Sequence, residues 1–534
     1  MFDQLATVLK EPYFFWIPML LKAETSAEVF LVGGAVRDAA LGRGTKDYDF
    51  VVRGVQARKL QDFFAQEGIV NFVGRTFGVY KFIPDQGYDE FKQSGLEAFD
   101  IALPRTEHAW GTGGYRDVEV QSDHTLPIEE DLGRRDFTIN AMAVNLQYGE
   151  VRPPGLLRSD LQIFDPHNGM KDIRTKIIRA VGDPQARFKE DYTRMLRALR
   201  FASELGFTLD PATFSALQEI MPQINATKGK EYVAPREVVS RELLKAFYAD
   251  PPRAFDLFDQ SGAFEMLMPE LLKMKGCPQP EEFHSEGDVW THTRMALEAL
   301  RSEEYSRIFC MPYTEDRPPE IRRTVLSVSD PHYNALLIMA ILLHDVGKPP
   351  MLKTPEEHGV DRIRFDEHDT VGAGLAREIA KRLVLSIQPI ETPYHVDPDA
   401  LSWLIKHHLI LLHTAAEDFK ASTVEKYFFS DKNPGEELLR LAFCDGSATV
   451  PKGGIPTLQN LFDMMARIKR MEAAIKEKRI PFKPLINGNE IMEFLKIVPG
   501  PGVGEIIRAL REEQLSARVI TKEEATEWLR KSFG

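Results

Sequence analysis

The chain has 534 residues, 43% of them hydrophobic and 28% charged, which is ordinary globular usage and excludes a disordered, collagen-like or membrane-embedded polypeptide. At roughly 100–200 residues per domain, this length predicts about three to five domains. Lys and Arg total 67 against 80 Asp and Glu, a formal charge of −13, so any nucleic-acid binding has to come from local basic patches.

From the N-terminus, Tyr13–Leu21 is apolar but short, and Glu11 stands where a signal peptide carries positive charge. It reads as a buried helix beneath the first strand, not a leader. No run of about 18 uncharged apolar residues follows, so no membrane-spanning helix is expected. Val29–Val32 reads as a strand ending in Gly33-Gly34, Ala35–Leu41 as a helix stopped by Gly42, and Asp47–Val52 as a strand. Val73–Ile83 and Glu97–Leu103 read as further strands. From Phe188 onward helical periodicity dominates. Val151–Leu157, Gly276–Glu282, Met311–Asp330, Ser386–Pro398 and Pro451–Pro456 are rich in Pro, Gly or charge and are the expected linkers. Cys277, Cys310 and Cys444 are odd in number and far apart. They form neither a disulfide framework nor a CxxC zinc pair, which suits a reducing, cytoplasmic setting.

The first chemical constellation lies in the mixed α/β part. Gly33-Gly34, between a strand and a helix, lets backbone amides approach a phosphate. Asp47 and Asp49 are two apart on the expected strand, which puts both carboxylates on one face. Adjacent carboxylates repel unless cations separate them, as the Mg²⁺ ions of a phosphoryl-transfer site do. Asp100, on a later strand, is a third acid for the cluster, or a solvent-facing strand residue.

These pieces stand in a fixed order. LVGGAVRDAALGRGTKDYDFVV is followed by Arg134-Arg135-Asp136-Phe-Thr-Ile-Asn140, then Phe164-Asp165-Pro166, then RFKEDYTRMLRALRF. Over roughly residues 28–210 the chain resembles the tRNA nucleotidyltransferases and bacterial poly(A) polymerases of the polymerase-β-like superfamily. The resemblance implies that Asp47 and Asp49 hold catalytic Mg²⁺, with Asp100 as the third acid. It implies that Gly33, Gly34, Arg37 and Arg135, with Asp136 and Asn140 of the same motif, bind the incoming nucleotide.

Asp191 and Arg194 are i, i+3 on an expected helix that Arg197 continues, with Leu196, Leu199 and Phe201 toward the core. A carboxylate accepts hydrogen bonds and a guanidinium only donates. Cytosine and adenine each present an amino donor beside a ring-nitrogen acceptor, whereas uracil and guanine present the reverse. One Asp–Arg pair can therefore accept C and A without a template. A surface ion pair is the alternative reading of the same spacing.

The second constellation is rich in histidine. His344-Asp345 closes the apolar run Ala335–Leu343, His292 lies upstream and Asp445 downstream. Imidazole with carboxylate suits Mn, Fe, Ni, Co or Zn better than Mg. LLHDVGKPP and its companions resemble the HD phosphohydrolases over about Glu282–Ala448. The resemblance implies that His292, His344, Asp345 and Asp445 bind a divalent transition metal, with His368 and His408 at a second metal and His407 competing with His408. In the tail, Ile486-Asn487-Gly488 and the glycine-rich Val498–Gly504 are either a site for an RNA phosphate or a tight turn between helices.

The expected fold class is α+β: an N-terminal polymerase-β-like nucleotidyltransferase head, the remainder all-α and including an HD domain. The expected division is 1–150 head, 151–275 neck and body, 276–450 HD domain and 451–534 tail. The resemblances imply a cytoplasmic enzyme adding C, C and A from CTP and ATP to tRNA, with HD phosphohydrolase activity, no membrane and no obligate protein partner. A CC-only or A-only enzyme, a poly(A) polymerase, and an RNA-repair phosphohydrolase with a weak transferase head remain open.

Overall fold

Residues 3–73, 79–109, 112–114, 118–146, 162–310, 333–430, 432–454, 458–477, 484–516 and 518–534 are described by a computed structural model. The chain divides into two compact units, Met1–Ala249 with Leu257–Met266, and Asp250–Asp256 with Leu267–Gly534.

In the first unit, the apolar run after Glu28 forms β1 (Glu28–Val32), and the turn at Gly33 opens α1 (Gly34–Ala40). The next strand, β2, is Asp49–Arg53. It begins at Asp49, so Asp47 lies ahead of it and is exposed rather than on the strand face. The stretch expected as one strand over 73–83 is instead parts of two: β3 (Gly68–Val73) and β4 (Val79–Pro84) form an antiparallel pair. Apart from a separate hairpin of Arg105–Ala109 with Val118–Ser122, the sheet is completed by β5 (Phe99–Ala102), β6 (Ala143–Asn145) and β7 (Gln162–Phe164). They assemble as one seven-stranded sheet in the order β3-β4-β5-β2-β1-β6-β7. Only β2 and β5 run parallel, which needs a crossover connection.

Trp16 opens the N-terminal helix Trp16–Ala23 and is fully buried. Its ring packs edge-on against Phe50, Phe64 and Phe82, so the helix covers β2 and β4 as well as β1. Burying an aromatic of that size is worth on the order of 4–6 kcal/mol from the area removed from water. After the sheet the first unit is helical. It contains α2 (Pro184–Glu190), α3 (Thr193–Leu205) and α4 (Arg236–Ala249), with two-residue strands pairing 177–178 with 208–209 and 227–228 with 231–232. Leu196, Leu199 and Phe201 are buried as their spacing predicts.

The second unit is helical throughout its described residues. At its centre is α6 (Ala335–Leu343), apolar on every side and buried, preceded by α5 (Val289–Ala299). Against it pack α5, the helix Pro398–His407 (α8) and the helix Gly435–Ala448 (α9), while α7 (His368–Arg382) packs on α8. The helices Gly488–Leu495, Pro501–Leu515 and Lys522–Phe533 share a smaller apolar core. Among the described residues no helix is long and apolar enough to cross a membrane. All three cysteines are unpaired. The expected linkers at 151–157 and 311–330 lie outside the described residues.

Candidate functional site

Sheet register assembles the acidic cluster. Asp49 pairs with Val32 on one side and with Asp100 on the other, and Asp100 pairs with Lys81. One row across four strands therefore carries Val32, the residue before Gly33, with Asp49, Asp100 and Lys81. Lys81 Nζ lies 2.7 Å from Asp100 Oδ1. Burial, with the charges of Asp47 and Asp100, pushes the Asp49 carboxyl up to about 6 against the opposing pull of Arg135 and Lys81. Like charges so close disfavour ionisation of all of them together.

Gly33 has φ +73°, and a Cβ there would lie 2.7 Å from Arg135 Nη1 and 3.4 Å from Asp49 Oδ2. The glycine lets the turn pass between those two side chains. They line a cavity of about 360 Å³ with Asp100, Arg105, Arg134, Asp136, Asp191, Arg194 and Arg197. Asp49 and Asp100 thus enter the cavity from the sheet, and Arg134, Arg135, Arg194 and Arg197 form a guanidinium wall that also includes Asp136 and Asp191.

Buried carboxylates hold that arginine wall. Asp131, fully buried, accepts hydrogen bonds from Arg134 Nε and Nη2 at 3.0 and 2.8 Å and from Arg135 Nη2 at 3.3 Å. Asp136 accepts from Arg197 Nε and Nη2 at 2.9 and 2.7 Å and from Asn140 Nδ2 at 3.1 Å. Burial alone would raise the Asp136 carboxyl, but Arg197 and Asn140 hold it well below the usual carboxylate range. Asn140 also accepts from Arg37 Nη1 at 2.9 Å. Arg37 is buried, bound to Asp38 and packed over the Phe201 ring. It is not among the residues that line the cavity, and it reaches the Asp136 group through Asn140.

Asp191 is not on a helix. It follows α2 in extended conformation, and its Oδ1 accepts from Thr193 N at 2.8 Å and Thr193 Oγ1 at 2.7 Å, opening α3. The i, i+3 geometry on one helix is therefore corrected: Asp191 caps the helix on which Arg194 sits. Arg194 turns to Glu190, 2.5 Å away. Both side chains still face the same cavity.

The second unit contains the other constellation, fully buried. His292 Nε2 lies 3.0 Å from Asp445 Oδ1 and 3.9 Å from Asp345 Oδ2, and His344 Nε2 lies 3.3 Å from Asp345 Oδ2 and 3.7 Å from Asp445 Oδ1. On the other side, His368 Nε2 and His408 Nε2 are each 3.7 Å from Asp345 Oδ1. Asp345 therefore bridges two ligand sets, His292-His344-Asp445 and His368-His408. A Cβ at Gly347 would meet His368 O at 2.1 Å, so glycine there allows the turn after α6 to dock on α7. His407 does not join; its ring lies tilted against Trp403 and edge-on to Tyr427, and its Nδ1 contacts Trp403 O at 2.7 Å.

The donor chemistry fits transition-metal ions. His344, His368 and His408 each place Nδ1 against a backbone carbonyl, of Ile341, Phe365 and Ile405, at 2.8, 2.7 and 2.6 Å. A carbonyl accepts only, so Nδ1 carries the proton and Nε2 keeps its lone pair. All three Nε2 atoms are buried with no hydrogen bond, a costly arrangement unless an ion completes it. Burial lowers His408 to about 4, which favours the neutral ligand form.

The Poly A polymerase head domain family matches residues 29–179 and the HD domain family matches residues 325–444. Over 360 residues the chain is 32% identical to the multifunctional CCA protein of Verminephrobacter eiseniae, covering 67% of this chain and 70% of that one. The chain belongs to the tRNA nucleotidyltransferase family. It is 28% identical over 496 residues to the A-adding tRNA nucleotidyltransferase of Deinococcus radiodurans, 93% of each chain. It spans about half the length of some other multifunctional CCA proteins, 56% of that from Acidovorax ebreus. The CCA-adding enzyme of Bacillus stearothermophilus, solved in complex with CTP, shares the fold with TM-score 0.59 and 20% identity over 96% of this chain and 95% of that one.

Several residues of this tRNA nucleotidyltransferase escaped the sequence reading. Lys81 lies on a strand whose limits were misread. Glu190 pairs with both Arg187 and Arg194. Lys348, in the glycine-lysine pair after His344-Asp345, has Nζ 2.7 Å from Asp345 Oδ2 and 2.8 Å from Gln279 Oε1. Glu286 accepts from His292 Nδ1 at 2.9 Å; nothing in its local pattern marks it. The glycine-rich tail segment opens the helix Pro501–Leu515, whose Val503, Ile506 and Leu510 are buried. The described contacts thus support the reading as a turn between helices.

Proposed function

We propose that the protein is a template-independent tRNA nucleotidyltransferase that adds C, C and A from CTP and ATP to the tRNA 3′ end in the cytoplasm. The observation that carries this is the single cavity in which Asp49 and Asp100 face Arg135, Asp191, Arg194 and Arg197. The RNA 3′-hydroxyl attacks the nucleotide α-phosphate, a phosphodiester bond forms and pyrophosphate leaves. Asp47 and Asp49 would hold Mg²⁺, which supplies neutralisation of the charge on the reacting phosphate. Asp100 accepts the proton of the attacking hydroxyl. Gly33, Gly34 and Arg135 take the triphosphate, and Asp191 with Arg194 reads the base edge. Asp136 and Asn140 act behind them, by anchoring Arg197 and Arg37.

In the same proposal the division is 1–150 head, 151–275 neck and body, 276–450 HD domain and 451–534 tail, with tRNA held by shape and backbone contacts. The HD domain is a metal-dependent phosphohydrolase. His292, His344, Asp345 and Asp445 would hold one divalent ion of Mn, Ni, Co, Fe or Zn, and Asp345, His368 and His408 a second. Such an ion supplies an activated water for attack on a phosphoester.

The A-adding relative, aligned over 93% of both chains, favours A-only addition as a second reading. The test uses tRNA transcripts ending before C, after CC and after CCA, each with labelled CTP or ATP. CTP incorporation on the first and ATP on the second supports full CCA addition. ATP on the second alone establishes the A-adding reading, and extended A tails a poly(A) polymerase. No incorporation rejects the transferase reading.

A further inference from the structure

We propose that Glu286 is the positioning residue that fixes His292 as a metal ligand. The inference rests on the metal reading of the HD site and adds a residue outside its ligand set. His292 differs from the other three histidines there. His344, His368 and His408 direct Nδ1 to a backbone carbonyl, whereas His292 directs Nδ1 to the Glu286 carboxylate at 2.9 Å. The carboxylate side chain is 1% exposed and has all its partners defined. Its Oε1 also accepts from His284 Nδ1 at 2.7 Å, and its Oε2 accepts from Val450 N at 3.0 Å. The neighbouring Ser285 N and Oγ donate to Val450 O at 2.8 and 2.9 Å.

Two consequences follow from this geometry. A carboxylate has no proton to donate, so Nδ1 of His292 must carry one, and Nε2, 3.0 Å from Asp445 Oδ1, is the atom turned toward the other proposed ligands. The loop 285–286 is also tied to Val450, just beyond α9, which carries Asp445. One carboxylate therefore sets the ring orientation of His292 and fastens the loop next to the strand of chain that leaves Asp445. A neutral amide cannot do both. In Glu286→Gln, the side-chain oxygen can meet Val450 N–H or His292 Nδ1–H, and the NH₂ must face the other. With NH₂ toward His292, the ring is driven to the Nε2–H form and loses the lone pair an ion needs.

The test is Co²⁺ binding to the full-length protein after chelator treatment, read by competition with a chromophoric chelator and by the visible Co²⁺ spectrum. Thermal midpoints are recorded in parallel. Wild type is expected to bind Co²⁺, and Glu286→Gln to bind it about 10- to 100-fold more weakly at one site, the range for loss of an outer-shell carboxylate. Glu286→Asp keeps the charge and is expected to recover part of the loss. His284→Ala leaves the carboxylate to His292 and is expected to stay within twofold of wild type. Equal Co²⁺ affinity in wild type and Glu286→Gln, with or without a lower thermal midpoint, overturns the positioning role and leaves the metal reading intact. A wild-type protein that binds no Co²⁺, Mn²⁺ or Zn²⁺ overturns both. A loss in His284→Ala as large as in Glu286→Gln overturns the assignment to His292 and makes His284 the ligand that Glu286 holds.

Discussion

Replacing Asp191 by asparagine separates two roles that the structure gives one carboxylate. Asp191 Oδ1 accepts from Thr193 N and Thr193 Oγ1, opening α3, while the side chain faces the cavity shared with Arg194. Asparagine keeps an oxygen for the cap, where it is about as good as aspartate, whereas alanine gives up about 0.5–2 kcal/mol. Asp191→Asn is therefore expected to unfold at nearly the wild-type denaturant midpoint, and Asp191→Ala earlier. Base reading follows a different chemistry. With its oxygen on Thr193, the asparagine turns NH₂ toward the base, where the amino group of cytosine or adenine also donates. An unpaired donor in a closed pocket costs about 1–3 kcal/mol, which is roughly 5- to 160-fold in kcat/KM. UTP, whose O4 accepts, is expected to gain relative to CTP. The assay is kcat/KM for all four nucleotides on tRNA lacking its CCA end. If Asp191→Asn keeps the wild-type order and rates, Asp191 is only a helix cap and the base is read elsewhere.

The Asp136 carboxyl is held below the usual range in the folded state. Its ionised form therefore stabilises the fold above a pH of about 4, and that stability is lost as pH falls through the folded value. Asp136→Asn leaves Arg197 without its bidentate partner and is expected to cost about 3–5 kcal/mol at pH 7. In urea unfolding the gap to wild type should narrow below about pH 4; a constant gap means the charge is not what anchors Arg197. Gly33→Ala places a Cβ against Arg135 in a backbone conformation that L-residues avoid. A loss of about 1–3 kcal/mol in stability is expected, with a fall in CTP use, and wild-type values for both would remove the glycine from the site. His344→Ala with Asp345→Ala is expected to abolish phosphoester hydrolysis and transition-metal content while nucleotide addition stays within a fewfold. Hydrolysis at the wild-type rate would place that activity outside the HD cluster.

What could be seen in the sequence was what short chain spacing encodes. Asp49, Asp100, Arg135, Asp191 and Arg194 stand in an order that the fold then brings to one cavity, the first two as neighbours in the sheet. The histidines fall at helix ends or starts, His344 after an apolar helix and His368 opening another, so the fold gathers them without local irregularity. What escaped depends on pairings distant in the chain. Glu286 is informative only once its loop meets Val450, 164 residues on. Lys81 matters because β4 pairs with β5. Asp191 was misplaced for a local reason: Thr193 offers both N–H and hydroxyl to a preceding carboxylate, and that starts the helix two residues later than the apolar period alone suggests.

The most direct test of the central claim is nucleotide incorporation by Asp49→Ala, with metal-dependent phosphoester hydrolysis measured on the same preparation. Asp49 lies beside Asp100 in the sheet and faces the arginine wall, in a different compact unit from the histidine cluster. The account predicts that labelled CTP and ATP are no longer added to tRNA while hydrolysis continues at the wild-type rate. Incorporation at the wild-type rate by Asp49→Ala would contradict it.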